Sequence, residues 1–152
     1  MNGKGKIKLP GPREEVFESL FDPELLEESI TGCREFVQLE DHKYRAELEI
    51  GIAGVRGKYS VILTMDETAP PHYCRMIVYG EGSPGTVDAE AEMKLSSHNE
   101  ETTMLMYTYE AELGGKVASL NKTVLQGAAK VIISDFFRRS KKEIKKEQKD
   151  NS

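Results

Sequence analysis

The sequence predicts an α+β fold in which a curved antiparallel sheet of about seven strands wraps around one long C-terminal helix. Two observations lead to this expectation. Between residues 34 and 113, apolar and polar residues alternate in about six consecutive segments with short turns, as in an antiparallel meander. Beyond residue 114, apolar residues instead recur every three or four positions, as on one face of a helix. Such a sheet has one apolar face, and only the last helix is large enough to cover it.

The first strand, residues 4–9, is followed by two short predicted helices. The first helix covers residues 14–20, where apolar residues fall at helical spacing. Asp22 and Pro23 are typical of the N-cap and the first position of the second helix. That helix is expected to end at Gly32, after which the apolar period changes to two.

The remaining strands are placed by alternation and by the glycines and prolines of the turns between them. They are predicted at residues 34–39, 44–52, 59–65, 73–81, 87–95 and 105–113. The three histidines, His42, His72 and His98, fall in predicted loops, and their spacing does not match a zinc site. We expect neither a metal nor a cofactor.

The C-terminal helix is predicted to run from Gly115 to about Lys149 without a break. At about 1.5 Å per residue it would be roughly 50 Å long. Its first two-thirds are expected to be buried, whereas the segment from Arg138 onward is too charged to be. The predicted buried face consists of Val117, Leu120, Val124, Ala128, Val131, Ile132 and Phe136.

Composition predicts one domain, residues 1–152, in the cytoplasm. The apolar share is 38% and the charged share is 31%, values typical of a globular protein. No apolar run approaches the roughly 20 residues that a membrane-spanning helix needs, and the N-terminus lacks an apolar signal core. Two cysteines are too few for a disulfide framework, and their spacing is not a metal-binding pattern.

The net charge of −5 is unevenly distributed along the chain. From Arg138 to the end, a basic helical extension carries seven basic and three acidic residues, so it is +4 and the remainder is −9. An acidic body argues against nucleic-acid binding. The extension either is a solvated helix end that complements the helix dipole, or contacts an anionic membrane surface or a partner protein. The residues predicted for such contact are Ile133, Phe137, Arg138, Arg139, Lys141, Lys142, Ile144, Lys145 and Lys146.

Several positions predicted to face the helix carry small side chains, among them Gly80, Ala89 and Ala91. A sharply curved sheet cannot approach a straight helix everywhere along its length. We therefore expect an apolar cavity, the alternative being a core filled by small-to-large complementarity. The predicted lining is Leu48, Ile50, Val61, Leu63, Gly80, Ala89, Ala91, Met93, Leu105, Tyr107, Val124, Leu125, Ala128 and Val131.

Catalytic motifs are scarce in this sequence. Residues 51–57 are glycine-rich but join two strands, so they are interpreted as a turn and not as a phosphate-binding loop. Tyr107 and Tyr109 share the predicted inner face. A buried tyrosine usually needs only one hydrogen-bond partner, and no group that could tune either for proton transfer is identifiable. Asp135 is expected to pair with Arg138 or Arg139 on the helix surface.

Several motifs in order resemble one known family. They are Leu20-Phe21-Asp22-Pro23-Glu24-Leu25, Ile30-Thr31-Gly32-Cys33, Gly80-Glu81-Gly82-Ser83-Pro84-Gly85, Glu112-Leu113-Gly114-Gly115-Lys116-Val117-Ala118, Gly127-Ala128-Ala129 and Phe136-Phe137. The chain resembles the CoxG family, named after the G subunit of carbon monoxide dehydrogenase, within the START-like (SRPBCC) helix-grip superfamily. Phe17 stands where that family usually has tryptophan, and Thr31 where it usually has proline.

This resemblance implies a non-enzymatic module that binds a lipid or a quinone. Members accompany molybdenum hydroxylases and assist their recruitment to the membrane, so peripheral contact with its inner face is a further expectation. The family implies no catalytic residues. Two alternatives stay open: a cavity enzyme of the polyketide cyclase, aromatase or hydrolase type, which the superfamily also contains, and an assembly factor without a ligand.

Overall fold

The computed structural model describes residues 1–150, apart from the side chains of residues 67 and 68. The strands are β1 (Asn2–Pro10), β2 (Cys33–Glu40), β3 (Lys43–Ile50), β4 (Gly57–Ala69), β5 (Tyr73–Gly82), β6 (Gly85–Asn99) and β7 (Thr102–Gly114). The helices are α1 (Arg13–Leu20), α2 (Pro23–Ser29), a 3₁₀ helix (Gly115–Ser119) and α3 (Lys122–Asp150).

The seven strands form one antiparallel sheet in the order β1-β7-β6-β5-β4-β3-β2. Strands β2 to β7 are each paired with their neighbours in sequence, and β1 pairs with β7. The predicted α+β arrangement is therefore confirmed. Asp22 also caps α2 as predicted, because its Oδ1 accepts a hydrogen bond of 3.0 Å from the Glu24 amide.

Some element boundaries differ from the predicted ones. β6 extends to Asn99, so His98 lies in a strand and not in a loop. β3 ends at Ile50, so Ile52 belongs to the following turn. In both cases the alternation alone does not show where the backbone pairing of the strands stops.

The helical C-terminus is interrupted, contrary to the prediction of one helix from Gly115. The 3₁₀ helix ends at Ser119, and α3 begins only after Asn121. The Asn121 side chain accepts a hydrogen bond of 2.9 Å from the Val124 amide, which is the geometry of an N-cap. Asparagine is a preferred N-cap residue, so Asn121 is the sequence signal for this second helix start.

The core lies at one end of the sheet, where α1, α2 and the second half of α3 cover it. We call this region the packed end, and we call the covered side of the sheet its inner face. The buried cluster there consists of Leu9, Val16, Phe17, Leu20, Phe21, Leu25, Leu26, Tyr44, Leu63, Met65, Cys74, Met93, Leu95, Leu105, Phe137 and Ile144.

The second half of α3 is docked on the rest of the protein, although its sequence is highly charged. Ser140 is buried, and its hydroxyl lies 3.1 Å from that of Ser29 on α2. The Gln148 side chain donates a hydrogen bond of 3.1 Å to the carbonyl of Pro10 at the end of β1. The expectation that this segment is too charged to be buried is therefore wrong for the side that faces α1, α2 and β1.

Glu147 is part of the same contact. The Ser19 hydroxyl donates a hydrogen bond of 2.9 Å to its carboxyl group. Burial, together with a hydrogen bond to Asp22 and the charges of Asp22 and Glu143, raises the pKa of Glu147 above its ordinary 4.5, and the Ser19 bond opposes this. The raised pKa means that the folded protein favours the protonated carboxyl group of Glu147. The stability that this group contributes is fully present below about pH 4.5 and is lost as the pH rises through the raised pKa.

Candidate functional site

Beyond the packed end, the inner face of the sheet is only partly covered. We call this region the open end. Leu48, Val61, Ala89 and Ala91 are half-buried there, although they point to the same side of the sheet as the core. The buried residues of this region, Ala46, Ile50, Tyr59, Ala111 and Ala128, do not belong to the continuous core cluster. The structure therefore separates a filled half of the interior from a less filled one.

The floor of the open end consists mainly of small side chains. Ala89 lies opposite Ala111 on the neighbouring strand, and Gly80 lies opposite Val61. A Cβ atom added to Gly80 would be 3.3 Å from Cγ2 of Val61, so the valine side chain covers the glycine. This arrangement matches the small-residue pattern that led to the predicted cavity.

The first half of α3 contacts the turn of residues 51–56, which connects β3 to β4 beside this floor. Val124 and Leu125 are half-buried, and a Cβ atom added to Gly54 would be 2.7 Å from Cγ1 of Val124. Gly54 has a φ of +91°, which allows this close approach. The Tyr59 hydroxyl donates a hydrogen bond of 2.7 Å to the carbonyl of Val55 and so ties the turn to β4.

The same side of α3 makes a second contact eleven residues further on. Thr31 donates a hydrogen bond of 2.5 Å to Asp135, which also forms ion pairs with Arg138 and, at 2.9 Å, with Arg139. Burial opposes ionisation of Asp135, but these hydrogen bonds and charges outweigh it and hold its pKa below the usual value. The predicted arginine pairing is confirmed, and Thr31 adds a link between α3 and the α2–β2 connection.

Between these two contacts, α3 exposes large apolar side chains. Val131 is 51% exposed and Ile132 is 36% exposed. At about 100° per residue, Val124, Val131 and Asp135 fall within about 40° of each other around the helix, and the stretch from Val124 to Asp135 is about 16 Å long. The helix is thus held at both ends of this stretch, and Val131 and Ile132 are open to solvent between the two contacts.

The predicted cavity residues are therefore divided between three environments. Ile50, Leu63, Gly80, Met93, Leu105 and Ala128 are buried; Leu48, Val61, Ala89, Ala91, Tyr107, Val124 and Leu125 are half-buried; and Val131 is exposed. Leu63, Met93 and Leu105 belong to the packed cluster, so the prediction that they line open space is wrong. Val131 is not on the buried face that the sequence predicted. Ligand contact by any of the fourteen stays a prediction.

The apolar residues predicted to contact a membrane are in the wrong place for it. Phe137 is 6% exposed, Ile144 is 3% exposed and Ile133 packs against the core cluster. They share one side of α3, about 120–160° away from Val131. The prediction placed these three residues outside the main apolar face and left them uncovered, whereas α1 and α2 cover their side of the helix. Sequence reasoning missed Ser140 on this side, although the alignment of the three apolar residues was a signal for it.

The basic residues of the same prediction remain on the surface. Arg138, Lys141, Lys142, Lys145 and Lys146 are exposed, and Arg139 is half-buried. Arg138, Lys142 and Lys146 continue the side of α3 that carries Val131 and Ile132, at about 100° per residue. We call these three residues the cationic row. An exposed apolar pair followed by cations on one side is typical of an interfacial helix.

Two shallow depressions of ≈490 and ≈530 Å³ lie on the other side of the sheet, over β1, β6 and β7. Charged side chains line them, including Lys4, Glu92 and Lys94, so an apolar ligand would not be suited to either. Among the side chains that the structure describes, no group of His, Cys, Asp and Glu could hold a metal ion. Within residues 1–150, no helix has both the length and the apolar character needed to cross a membrane.

Comparison with known families now adds to this geometry. The profile of the CoxG family, which describes the G subunit of carbon monoxide dehydrogenase, matches residues 5–145. The chain belongs to this family. No protein of curated function matches its sequence.

Solved structures place this CoxG-family protein in its structural class. A conserved protein from Geobacillus kaustophilus is 46% identical, with a TM-score of 0.91 over 96% of both chains. A START superfamily protein from Mycobacterium smegmatis is 10% identical, with a TM-score of 0.74 over 95% of this chain and 97% of that chain. The Zhui aromatase/cyclase from Streptomyces sp. R1128 is 14% identical, with a TM-score of 0.68 over 95% of this chain and 93% of that chain. The last two likenesses concern the fold alone, and they confirm the predicted START-like, helix-grip architecture.

Proposed function

We propose that this CoxG-family protein binds an apolar or amphipathic small molecule, of the lipid or quinone class, between the open end of the sheet and the first half of α3. The observation that carries the proposal is the floor of small residues, half-buried Ala89 and Ala91 and buried Gly80, none of which belongs to the packed cluster. Leu63, Met93 and Leu105, which lie on the same face at the packed end, are buried in the packed cluster, so the proposed ligand lies above the floor and not beside them.

The energetics favour an apolar ligand over a polar one. Removing apolar surface from water contributes roughly 25 cal/mol per Å². A ligand that covered about 200 Å² of apolar surface would therefore gain roughly 5 kcal/mol before the cost of association. Apart from backbone groups, the floor offers little to which a charged ligand could bind.

Ala91→Leu should weaken ligand binding by about ten-fold or more, because the added side chain occupies the space over the floor. Stability should change little, since the site is only half-buried. Affinity is measured with a nitrobenzoxadiazole-labelled fatty acid by fluorescence, and copurified ligand by native mass spectrometry.

The matched control for this variant is Thr108→Leu, which adds bulk at an exposed position on the other side of the sheet. Its affinity should equal that of the unmodified protein. Equal affinity of the Ala91→Leu variant would contradict the proposed site. The carrier role itself would fail if the unmodified protein neither copurified with a ligand nor bound the fatty acid.

We further propose that the cationic row and the adjacent exposed Lys141 and Lys145, together with Val131 and Ile132, contact an anionic membrane surface on which the ligand is exchanged. A molybdenum hydroxylase of the carbon monoxide dehydrogenase type is the partner that the family description suggests. Two features support the membrane contact: the basic residues are exposed, and they continue the side of α3 that is open between its contacts at Val124 and Asp135.

Changing Lys141, Lys142, Lys145 and Lys146 to glutamate should abolish salt-sensitive binding to phosphatidylserine-rich vesicles. Each lysine near such a surface contributes about 1 kcal/mol, and reversal turns attraction into repulsion. Cosedimentation with these vesicles and with neutral phosphatidylcholine vesicles measures the effect. The control changes Lys4, Lys6, Lys8 and Lys94, which are exposed on the other side of the sheet, in the same way. An equal loss of vesicle binding in both variants, or no loss in the α3 variant, would contradict a specific contact between α3 and the membrane.

The cyclase alternative requires an acid or base that converges on the same space. A tyrosine paired with a buried carboxylate would favour it. Among the described residues neither Tyr107 nor Tyr109 has such a pairing, so this alternative gains no support from the geometry.

A further inference from the structure

Two glycines of β1 and two tyrosines of β7 face each other directly in the sheet. The register pairs Gly3 with Tyr109 and Gly5 with Tyr107. A Cβ atom added to Gly3 would lie 2.5 Å from both Cε1 and the hydroxyl oxygen of Tyr109, and one added to Gly5 would overlap the Tyr107 ring. Each ring therefore leans sideways across the edge strand and occupies the place where a β1 side chain would be.

This sideways placement determines what lies over the floor of the open end. On its other side, Tyr109 is paired with Ala91, one of the floor residues. Because the ring leans toward Gly3, it does not extend over Ala91. Tyr107 is held in the same orientation by stacking on Phe137, with ring centroids 5.3 Å apart. The two glycines thus keep both aromatic rings at the rim of the floor instead of over it.

The same geometry brings two hydroxyl groups to this rim. Both tyrosines are half-buried, and neither hydroxyl forms a hydrogen bond to any protein group that the structure describes. Burial, and the neighbouring Tyr109, raise the pKa of Tyr107 above its ordinary value, so its hydroxyl stays protonated at neutral pH. Neither hydroxyl oxygen is among the fully buried polar atoms without a partner, so both are accessible and can donate to a ligand acceptor.

We propose that Tyr109 and Tyr107 form the polar end of the ligand groove and select ligands that carry an acceptor oxygen, such as a carbonyl, beside an apolar body. This inference rests on the proposed function and adds a specificity to it. The apolar body lies over Ala89 and Ala91, and the acceptor oxygen lies toward the edge strand β1. A purely apolar molecule of equal size occupies the same floor but leaves both hydroxyls without a protein or ligand partner.

The test compares two fluorescent probes of nearly equal shape, anthraldehyde, which has a carbonyl oxygen, and methylanthracene, which has none. The unmodified protein should bind anthraldehyde roughly three- to ten-fold more tightly, the range expected for one neutral hydrogen bond. The Tyr107→Phe/Tyr109→Phe variant keeps both rings over the glycines and should bind the two probes equally. Its affinity for methylanthracene should be unchanged. Tyr79→Phe, at an exposed position of β5 on the other side of the sheet, is the control and should keep the preference.

Each outcome separates this inference from the function on which it rests. Methylanthracene binding without a preference for anthraldehyde in the unmodified protein would overturn the inference and leave the proposed function intact. A double variant that loses both probes equally would show that the tyrosines only shape the groove, which also overturns it. Binding of neither probe by the unmodified protein would overturn both proposals.

Discussion

Phe137→Ala should lower the free energy of unfolding by about 3–5 kcal/mol, the usual cost of removing a buried phenylalanine. Phe137 is 6% exposed, stacks on Tyr107 and meets Phe136 edge-on with centroids 5.3 Å apart. It lies one residue before the strongly basic segment, where the sequence suggested a surface position. Urea denaturation followed by circular dichroism measures the change.

The control for this prediction is Val131→Ala on the first half of the same helix. Val131 is 51% exposed, so its truncation should cost less than about 1 kcal/mol. If Val131→Ala lowered the free energy of unfolding more than Phe137→Ala, the structure would bury the wrong side of α3. The sequence-based assignment, which buries Val131 and exposes Phe137, would then be restored.

Gly32→Ala should destabilise the protein by at least about 2 kcal/mol, because it combines backbone strain with a steric clash. Gly32 has a φ of +71°, and an added Cβ would overlap the carbonyl oxygen of Glu49. That oxygen belongs to backbone and cannot swing away like a side chain. The Glu49 amide also donates a hydrogen bond of 2.8 Å to the Gly32 carbonyl, so the two segments cannot separate without losing it. Thermal and urea denaturation measure the loss.

Gly127→Ala is the same substitution at a position where the structure predicts a gain in stability instead of a loss. Gly127 is exposed within α3, and an added Cβ has nothing within 4 Å. Alanine is favoured over glycine inside a helix by about 0.5–1 kcal/mol, so this variant should be more stable. Destabilisation by both changes to a similar extent would contradict the strain and clash assigned to Gly32.

The strands could be predicted because their signal is local. Alternation along one strand specifies which residues point to the same side, and this is how Ala89 and Ala91 were assigned correctly to the inner face. Turn residues and the Asp22 cap likewise act through neighbours in sequence. The small residues of the candidate site were therefore identifiable before any tertiary contact was known.

The roles of the two tyrosines could not be predicted in this way. Sequence assigns Tyr107 and Tyr109 to the inner face, but only the pairing of β1 with β7 brings Gly5 and Gly3 beside them. About a hundred residues separate the partners, and no local pattern specifies that register. The direction in which the rings lean, toward β1 and away from Ala91, follows from this long-range pairing.

By itself, the sequence determined the order of the elements, the antiparallel sheet, the inner and outer side of each strand and the small-residue floor. Only the tertiary structure decided which side of α3 is buried. The helix has apolar residues on two sides, Val131 and Ile132 on one and Phe137 and Ile144 on the other. Hydrophobic periodicity shows that a side is apolar, not which neighbour covers it. The packing of α1 and α2 against the second half of α3 makes that choice, and it leaves Val131 and Ile132 exposed where the helix spans the open end.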